Sequence, residues 1–140
     1  FAGGVTTAIK TVKPDVRIWG VETIGADAMT QALEVGRPVQ LESITSIAKT
    51  LGAPSVSDRT LALAREHLEG VLVVSDGEAL QALEFILERL KILTEPAASC
   101  TLAAASRLKN QFNQDSKLVL IFCGGNISLA DLCRYVSKSL

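Results

Sequence analysis

The sequence predicts an α/β fold: three layers, with a mostly parallel sheet carrying helices on both faces. Three short apolar runs, at 16–21, 71–74 and 118–122, alternate with segments whose apolar residues recur at helical spacing. Apolar runs without polar alternation are typical of strands covered on both faces, which are usually parallel. With 140 residues and 48% hydrophobic content, the chain can bury one core, so we predict a single domain over residues 1–140.

The composition excludes several classes of partner and site. There are 14 basic and 15 acidic residues and no basic block, which argues against nucleic acid. No apolar run is long enough to cross a membrane, and no charged-then-apolar leader opens the chain. The single histidine, His67, lies in a charged helical stretch, so zinc sites and triads are not expected. Three cysteines without metal-type spacing fit a reducing compartment, and we expect a soluble cytoplasmic protein.

The first elements are a helix and a strand. Small and apolar residues at helical spacing follow Phe1, and Gly3 and Gly4 within them are expected to allow close packing. Lys13-Pro14-Asp15 ends this helix, and 16–21 reads as a strand. A helix, a turn and a strand form the second half of a βαβ crossover, whose first strand would precede Phe1.

A carboxylate, Glu22, follows this strand directly and leads through Gly25 into a helix at 26–35 that Gly36 ends. At the carboxyl end of a strand, the carboxylate could face a ligand or a cation. The alternative is an ordinary capping loop with Asp27 at the helix start, and the sequence weighs the two equally.

The next stretch, 43–51, is predicted to be a short helix, and the loop at 51–55 has backbone carbonyls that could remain free. Free carbonyls and a carboxylate are the ligands that a hard cation takes. The sequence does not show whether these groups converge.

The middle of the chain reads as scaffold. Ser-Asp at 57–58 caps a helix at 60–69, Gly70 ends it, and 71–74 is the second apolar strand. The spacing of 75–78 is that of a capping box, which opens a helix running to Leu90.

The following helix begins near Thr94 or Glu95, with Pro96 in its first turn. Its face is made of small residues, so it must pack closely, and the sheet is the expected neighbour. Glu95 is then expected to face inward at the helix start.

The third apolar run, 118–122, ends in Cys123-Gly124-Gly125-Asn126. Ligands of open parallel sheets bind beyond the carboxyl ends of the strands. The two glycines permit positive φ and close backbone approach, and Ser128 or Asn126 can cap a closing helix at 129–139. A plain strand-to-helix turn is the alternative, and the Gly-Gly pair alone favours it.

Four stretches together resemble the pyridoxal-phosphate-dependent serine and threonine dehydratases, of the tryptophan synthase β-like fold (fold type II). They occur in that family's order along the whole chain. The stretches are 21–26 (Val-Glu-Thr-Ile-Gly-Ala), 44–52 (Ile-Thr-Ser-Ile-Ala-Lys-Thr-Leu-Gly), 91–97 (Lys-Ile-Leu-Thr-Glu-Pro-Ala) and 122–129 (Phe-Cys-Gly-Gly-Asn-Ile-Ser-Leu). The resemblance implies that residues 1–140 are the carboxyl-terminal part of the large domain. The small domain and the Schiff-base lysine segment are expected to lie outside it.

The resemblance also implies a cofactor site for pyridoxal phosphate. Cys123 would face the pyridine nitrogen of the cofactor, with Gly124 beside it, and Phe1 would follow the phosphate-binding glycine loop. No catalytic residue of the family matches a position in this chain.

A cation site beside the cofactor phosphate is implied as well. Its ligands would be the Glu22 carboxylate and the backbone carbonyls of Ala26, Leu51 and Ala53. Related racemases carry a second carboxylate where this chain has Ala28, so the resemblance favours a potassium-like monovalent cation.

The implied function is that of an L-serine or L-threonine ammonia-lyase, which converts the amino acid to a 2-oxo acid and ammonia. The isolated chain would be inactive without the lysine, and we expect a homodimer or self-association. One alternative is another reaction on this fold, namely racemisation or β-replacement. The other is a non-catalytic interaction module that retains the scaffold.

Overall fold

The computed structural model describes residues 1–139, in which helices alternate with two strands. Their bounds are α1 Ala2–Val12, β1 Trp19–Thr23, α2 Ala28–Val35, α3 Asp58–His67, β2 Gly70–Val74, α4 Asp76–Phe85, α5 Pro96–Arg107 and α6 Leu129–Ser139. Short 3-10 turns occur at Lys49–Leu51 and Lys109–Gln111, and a π-helical turn, Ile86–Leu90, prolongs α4. No helix in the described part of the chain has the length and apolar character needed to cross a membrane.

The two strands pair in parallel, with α2 and α3 in the crossover between them. Trp19 lies opposite Gly70, and Thr23 lies opposite Val74. The Trp19 ring covers Gly70 so closely that a Cβ there would lie 2.9 Å from a ring carbon. The predicted parallel pairing is therefore confirmed, and Gly70 belongs to the strand instead of ending the helix before it.

Helices pack on both faces of this sheet. Val21 and Leu72 pack against the core cluster that α4 and α5 form with the sheet. The next side chain of β1, Glu22, points to the opposite face because strand side chains alternate, and it contacts α2. The predicted three-layer α/β class is confirmed.

The core consists of small side chains between α4, α5 and the sheet. Its buried members are Val74, Ala79, Ala82, Cys100, Ala103 and Ala104. The buried hydroxyl of Ser99 donates to the carbonyl of Ala79 at 2.6 Å, which ties the two helices directly. The small face of α5 therefore packs on α4 as well as on the predicted sheet.

The predicted helix starts are confirmed where the signal is local. Ser57 caps α3 in a reciprocal capping box with Thr60, and Ser75 caps α4 in one with Glu78. Pro96 occupies the first turn of α5, and Gly36 ends α2 with φ of +86°.

The prediction of a buried third strand at 118–122 is wrong. In the described residues the sheet has two strands, and 118–122 is not one of them. Val119 is 81% exposed and Leu118 51% exposed. An apolar run becomes a buried strand only where a neighbouring strand supplies hydrogen bonds and where layers cover its faces, and this segment has neither.

Three smaller expectations also fail. Residues 43–51 form no α-helix and contain only the 3-10 turn at their end. The first strand begins three residues later than predicted, at Trp19, and ends two later, at Thr23. A Cβ added at Gly4 would have no atom within 4 Å, so close packing does not account for this glycine, while Gly3 faces Leu63 of α3.

The ion pair between Glu78 and Arg107 predicts a pH dependence of stability. Arg107 donates to both Glu78 oxygens, at 2.7 and 2.6 Å, and to the carbonyl of Val73 at 2.8 Å. The hydrogen bonds between Arg107 and Glu78 have the largest effect on the pKa of Glu78, and the hydrogen bond from the Ser75 backbone has the next largest. They lower this pKa from 4.5 to about 2. Because the folded-state pKa is depressed, this stabilisation is full above about pH 4.5 and is lost as the pH falls towards 2.

We expect Glu78→Gln to lower the free energy of unfolding by about 1 kcal/mol at pH 7, a value reduced for solvent screening at this partly exposed pair. The difference from the wild type should shrink steadily between pH 4.5 and 2 in urea denaturation followed by circular dichroism. Glu84→Gln on the same helix is the control, since Glu84 has no ion-pair partner within the described residues. A constant difference at all pH values would contradict the assignment.

Candidate functional site

The carboxyl ends of β1 and β2 lie under one loop, residues 43–53. The amide of Thr45 donates to the carbonyl of Gly25 at 3.1 Å, which holds the loop on the turn after β1. The amide of Leu41 donates to the carbonyl of Pro54 at 2.8 Å and closes the base of the loop. The loop therefore covers the edge of the sheet where ligands of parallel sheets bind.

A polar junction, formed by Thr23, Ser46 and Asp76, fastens this loop to both strand ends. The Ser46 hydroxyl donates to Asp76 Oδ1 at 2.6 Å and lies 2.8 Å from the Thr23 hydroxyl. Since the single Ser46 proton is used on Asp76, the Thr23 hydroxyl is the donor to Ser46. Asp76 Oδ2 also accepts the amide of Ile47 at 3.1 Å, and Ser46 accepts the amide of Ala48 at 3.0 Å.

This junction explains why the predicted helix at 43–51 does not form. The Ser46 hydroxyl and the Ile47 amide donate hydrogen bonds to Asp76 of α4, and these bonds compete with the backbone hydrogen bonds of a helix. Neither Ser46 nor Asp76 was predicted from the sequence to be a site residue. Asp76 follows a capping serine as Asp58 does, so the local pattern gives no signal that distinguishes the two.

Glu22 lies at the end of β1 and uses both carboxylate oxygens on the start of α2. Oε1 accepts the amide of Met29 at 2.9 Å, and Oε2 accepts the amide and hydroxyl of Thr30 at 2.9 and 2.8 Å. Asp27, the residue at the N-cap, makes no side-chain cap. Glu22 therefore performs the capping role, and a carboxylate at a helix N-terminus is favourable.

The three backbone carbonyls predicted to bind a cation have different surroundings. Ala26 is bridged to Thr23 and donates its amide to the Thr23 carbonyl at 2.8 Å. The Leu51 carbonyl accepts the amide of Ala53 at 2.8 Å. The Ala53 carbonyl accepts no hydrogen bond from any residue between 1 and 139.

This oxygen-rich set suits a hard cation held largely by carbonyls, as K⁺ is held in proteins. Groups of three or more His, Cys, Asp or Glu residues able to hold a metal ion do not occur in the described part of the chain. The cation ligands Glu22, Ala26, Leu51 and Ala53 remain a prediction.

The Cys123-Gly124 turn lies against the start of α5. The Gly124 carbonyl accepts the amide of Glu95 at 3.1 Å and the hydroxyl of Thr94 at 2.6 Å. A Cβ on Gly124 would overlap Oε1 of Glu95. Positive φ was the other expected reason for the Gly-Gly pair, and it does not apply, because the described glycines with positive φ are Gly25 and Gly36.

The cysteines of the site differ in accessibility. Cys123 is exposed, and Cys100 is buried, with both thiols free. Burial, together with the nearby Cys123, raises the pKa of Cys100 to about 12, so this thiol stays protonated. Cys123 stands beside Gly124, and its contact with a cofactor ring remains a prediction.

The closing helix α6 begins at a serine cap. Ser128 is the cap, since its hydroxyl accepts the amide of Asp131 at 3.0 Å and donates to Oδ2 at 2.7 Å. The hydrogen bond from Ser128, and then the charges of Arg134 and Lys49, lower the pKa of Asp131.

Phe1, predicted to neighbour the cofactor phosphate, stands at the start of α1 with an 81% exposed side chain. Its carbonyl accepts the amide of Val5 at 3.2 Å. Among the described residues, no hydrogen bond joins Phe1 to the cation loop or to the Cys123 turn. Its role at the phosphate remains a prediction.

Gly25 should tolerate no side chain. Its φ is +81°, and a Cβ there would overlap the Thr45 hydroxyl and lie 3.3 Å from the Ser46 amide. We expect Gly25→Ala to lower the free energy of unfolding by about 2 to 3 kcal/mol. Gly4→Ala is the matched control, expected to raise stability by about 0.5 to 1 kcal/mol in its open helical position. Thermal unfolding showing equal effects would refute this account.

Asp76 should contribute more to stability than Asp58, although both follow a capping serine. Asp76→Ala leaves the Ser46 hydroxyl and the Ile47 amide without their acceptor, at an expected cost of about 2 kcal/mol. Asp58 is exposed at the start of α3, so Asp58→Ala loses only a favourable helix-end charge, about 0.5 kcal/mol. Urea denaturation of both variants measures the difference, and equal losses would mean that the junction contributes nothing.

The sequence matches the family described as "Pyridoxal-phosphate dependent enzyme" over residues 1–124. The L-serine dehydratase/L-threonine deaminase of Mus musculus is 42% identical over 139 residues, covering 92% of this chain and 42% of the mouse protein. The chain spans about two fifths of the length of this and other curated relatives that it matches.

Solved structures agree with the sequence comparisons. A fungal L-serine ammonia-lyase from Rhizomucor miehei superposes with a TM-score of 0.85 at 29% identity, covering 98% of this chain and 46% of that one. Maize serine racemase gives a TM-score of 0.83 at 34% identity, covering 99% and 44%.

Proposed function

The chain belongs to the pyridoxal-phosphate-dependent enzymes, and from this membership we propose that it is part of an L-serine or L-threonine ammonia-lyase. Such an enzyme converts the amino acid to a 2-oxo acid and ammonia. The observation that carries the proposal is the exposed Cys123 thiol beside Gly124, at the position where the resemblance expects the ring nitrogen. The similarity to named dehydratases supports the reaction class.

When bound, pyridoxal phosphate supplies an electron-withdrawing ring that stabilises the negative charge left when the α-proton is removed. Cys123 would share a hydrogen bond with the ring nitrogen. A thiol is a weak hydrogen-bonding group, so this contact orients the ring without placing a formal charge on it. Gly124 would adjoin the ring, and Phe1 is proposed to adjoin the phosphate.

We place the reacting lysine and the small domain in polypeptide outside residues 1–140, and these residues in the carboxyl-terminal part of the large domain. The relatives, more than twice as long, leave room for both. In this arrangement the chain binds and orients the cofactor, while the base is contributed from elsewhere.

A potassium ion is the proposed occupant of the cation loop. The Ala53 carbonyl accepts no hydrogen bond from the described residues, and the Leu51 carbonyl accepts one. Both oxygens therefore have lone pairs to offer to the ion. Glu22 would contribute charge through lone pairs left by its bonds to α2, and Ala26 a further carbonyl. The ion would fix the loop that Asp76 and Ser46 already hold over the strand ends.

We also propose how the protein assembles and where in the cell it lies. Exposed apolar side chains at Val119 and Leu129, 81% and 76% accessible, support a homodimer or self-association. The near balance of charge supports an enzyme without a nucleic-acid partner, and the free cysteines support a reducing compartment, the cytoplasm.

Racemisation is the second candidate, because maize serine racemase is 34% identical to this chain. Against it stands Ala28, which is 2% exposed at the start of α2, where the related racemase pattern has a carboxylate. The formation of D-serine instead of pyruvate would favour the racemase.

We predict pyruvate formation from L-serine by the full-length polypeptide that carries residues 1–140, and none by residues 1–140 alone. Cys123→Ala should weaken pyridoxal phosphate binding about fivefold, since one hydrogen bond of about 1 kcal/mol is lost. Cys123→Ser should restore most of this affinity by replacing the donor.

The control for Cys123 is Cys133→Ser, because Cys133 is also exposed and lies on α6. Binding is measured by titrating the cofactor and following its absorbance. Unchanged binding by Cys123→Ala would count against the ring contact, and turnover by residues 1–140 alone would refute an external lysine.

A further inference from the structure

Glu95 stands at the N-cap of α5, and its backbone alone holds it there. The Glu95 amide donates to the Gly124 carbonyl at 3.1 Å, and the Glu95 carbonyl accepts the amides of Ala98 and Ser99, each at 3.0 Å. The side chain makes no cap hydrogen bond. The carboxylate therefore takes no part in fixing the start of the helix.

This carboxylate is buried and has no partner within residues 1–139. Glu95 is 8% exposed, and neither a hydrogen bond nor an ion pair reaches its oxygens from the described residues. By contrast, Glu22 and Glu78 each accept hydrogen bonds from several donors. Because burying an unpaired carboxylate is costly, a stable fold requires a partner for it.

A partner can reach the Glu95 oxygens. Every fully enclosed side-chain nitrogen or oxygen of the described residues has a hydrogen-bond partner. Since the Glu95 oxygens have none, they are not fully enclosed.

The Glu95 oxygens lie on a different side of the Cys123-Gly124 turn from the Cys123 thiol. A Cβ added at Gly124 would overlap Oε1 of Glu95. Successive side chains differ in direction by about 100° in helical backbone and about 180° in extended backbone, so the Cys123 side chain does not point to the Glu95 side. A partner of Glu95 therefore leaves the Cys123 thiol free for the ring nitrogen of the cofactor.

Two free oxygens on one carboxylate define the chemistry of the partner. A guanidinium group presents two parallel N–H donors that match both oxygens, and it is more weakly hydrated than an ammonium group. The chain already contains such a pair, since Arg107 donates to both oxygens of Glu78, at 2.7 and 2.6 Å. We propose that Glu95 forms an ion pair with an arginine side chain from polypeptide outside residues 1–140.

The source of this arginine rests on the proposed function, which places further polypeptide outside residues 1–140. The chain covers 42% of the mouse relative, so a protein of that length has ample sequence to supply it. The ion pair would join the start of α5, and with it the Gly124 carbonyl that α5 holds, to the remainder of the enzyme. Glu95 is then a contact residue between two parts of one polypeptide, and no covalent step is assigned to it.

The ion pair predicts one protected arginine in the full-length polypeptide. Arginines are modified with phenylglyoxal, which reacts with accessible guanidinium groups, and each site is quantified by peptide mass spectrometry. We expect one arginine outside residues 1–140 to react slowly in the wild type. Glu95→Gln, which keeps the shape and removes the charge, should raise its modification rate about tenfold or more, because charge-assisted hydrogen bonds are lost.

Two further variants make the result specific. Gly124→Ala, which displaces Oε1 of Glu95, should expose the same arginine. Glu84→Gln, on the exposed side of α4, should leave every modification rate unchanged. Circular dichroism spectra matching the wild type establish that the variants are folded. The wild-type map is decisive without any variant, since reaction of every arginine outside residues 1–140 at the rate of free arginine excludes the ion pair.

Parallel assays of pyruvate formation from L-serine separate this ion pair from the proposed function. If Glu95→Gln exposes no arginine, or only one within residues 1–140, the external partner is refuted even if pyruvate is formed. A Glu95-dependent arginine outside residues 1–140 in a polypeptide that forms no pyruvate supports the ion pair and refutes the dehydratase.

Discussion

The candidate site depends on the hydrogen bonds that Asp76 makes with Ser46 and Ile47. These bonds join three segments distant in sequence: the end of β1, the loop at 43–53 and the start of α4. Thr23 and Ser46 are buried, and each polar atom of the junction has a partner. Such a fully satisfied network in a low-dielectric interior is rigid, and it holds residues 46–48, from which the turn containing Leu51 continues.

The acidic side chains at helix starts differ in the hydrogen bonds that they accept. Glu22, Asp76 and Glu78 each lie at the start of a helix or against one, and their oxygens are occupied by amides, hydroxyls or a guanidinium. Glu95 also stands at a helix start, but its carboxylate is buried without such donors among the described residues. The carboxylates of Glu22, Asp76 and Glu78 therefore hold elements together, and Glu95 differs from them.

Features set by residues a few positions apart were predictable from the sequence. The caps at Ser57 and Ser75, the end of α2 at Gly36 and the Pro96 start of α5 each depend on neighbours within one helical turn. The parallel pairing of β1 with β2 followed from two apolar runs joined by helices. The four stretches that carry the family resemblance indicated where along the chain the candidate site lies. They did not show how its side chains are arranged.

Features that depend on distant partners were not predictable in this way. Residues 118–122 have the composition of a buried strand but no strand beside them among the described residues. Ser46 does not join a helix because its hydroxyl donates a hydrogen bond to Asp76, 30 positions later. A side chain is excluded at Gly124 because Glu95, 29 positions earlier, fills the space, and a local turn pattern does not show this.

The contact between Trp19 and Gly70 gives the protein a built-in optical reporter. Trp19 is the single tryptophan of the chain, and its ring lies on the partner strand at the end of the sheet opposite the site. Within residues 1–140, its fluorescence emission is therefore sensitive to the separation of β1 from β2, without a contribution from another indole group.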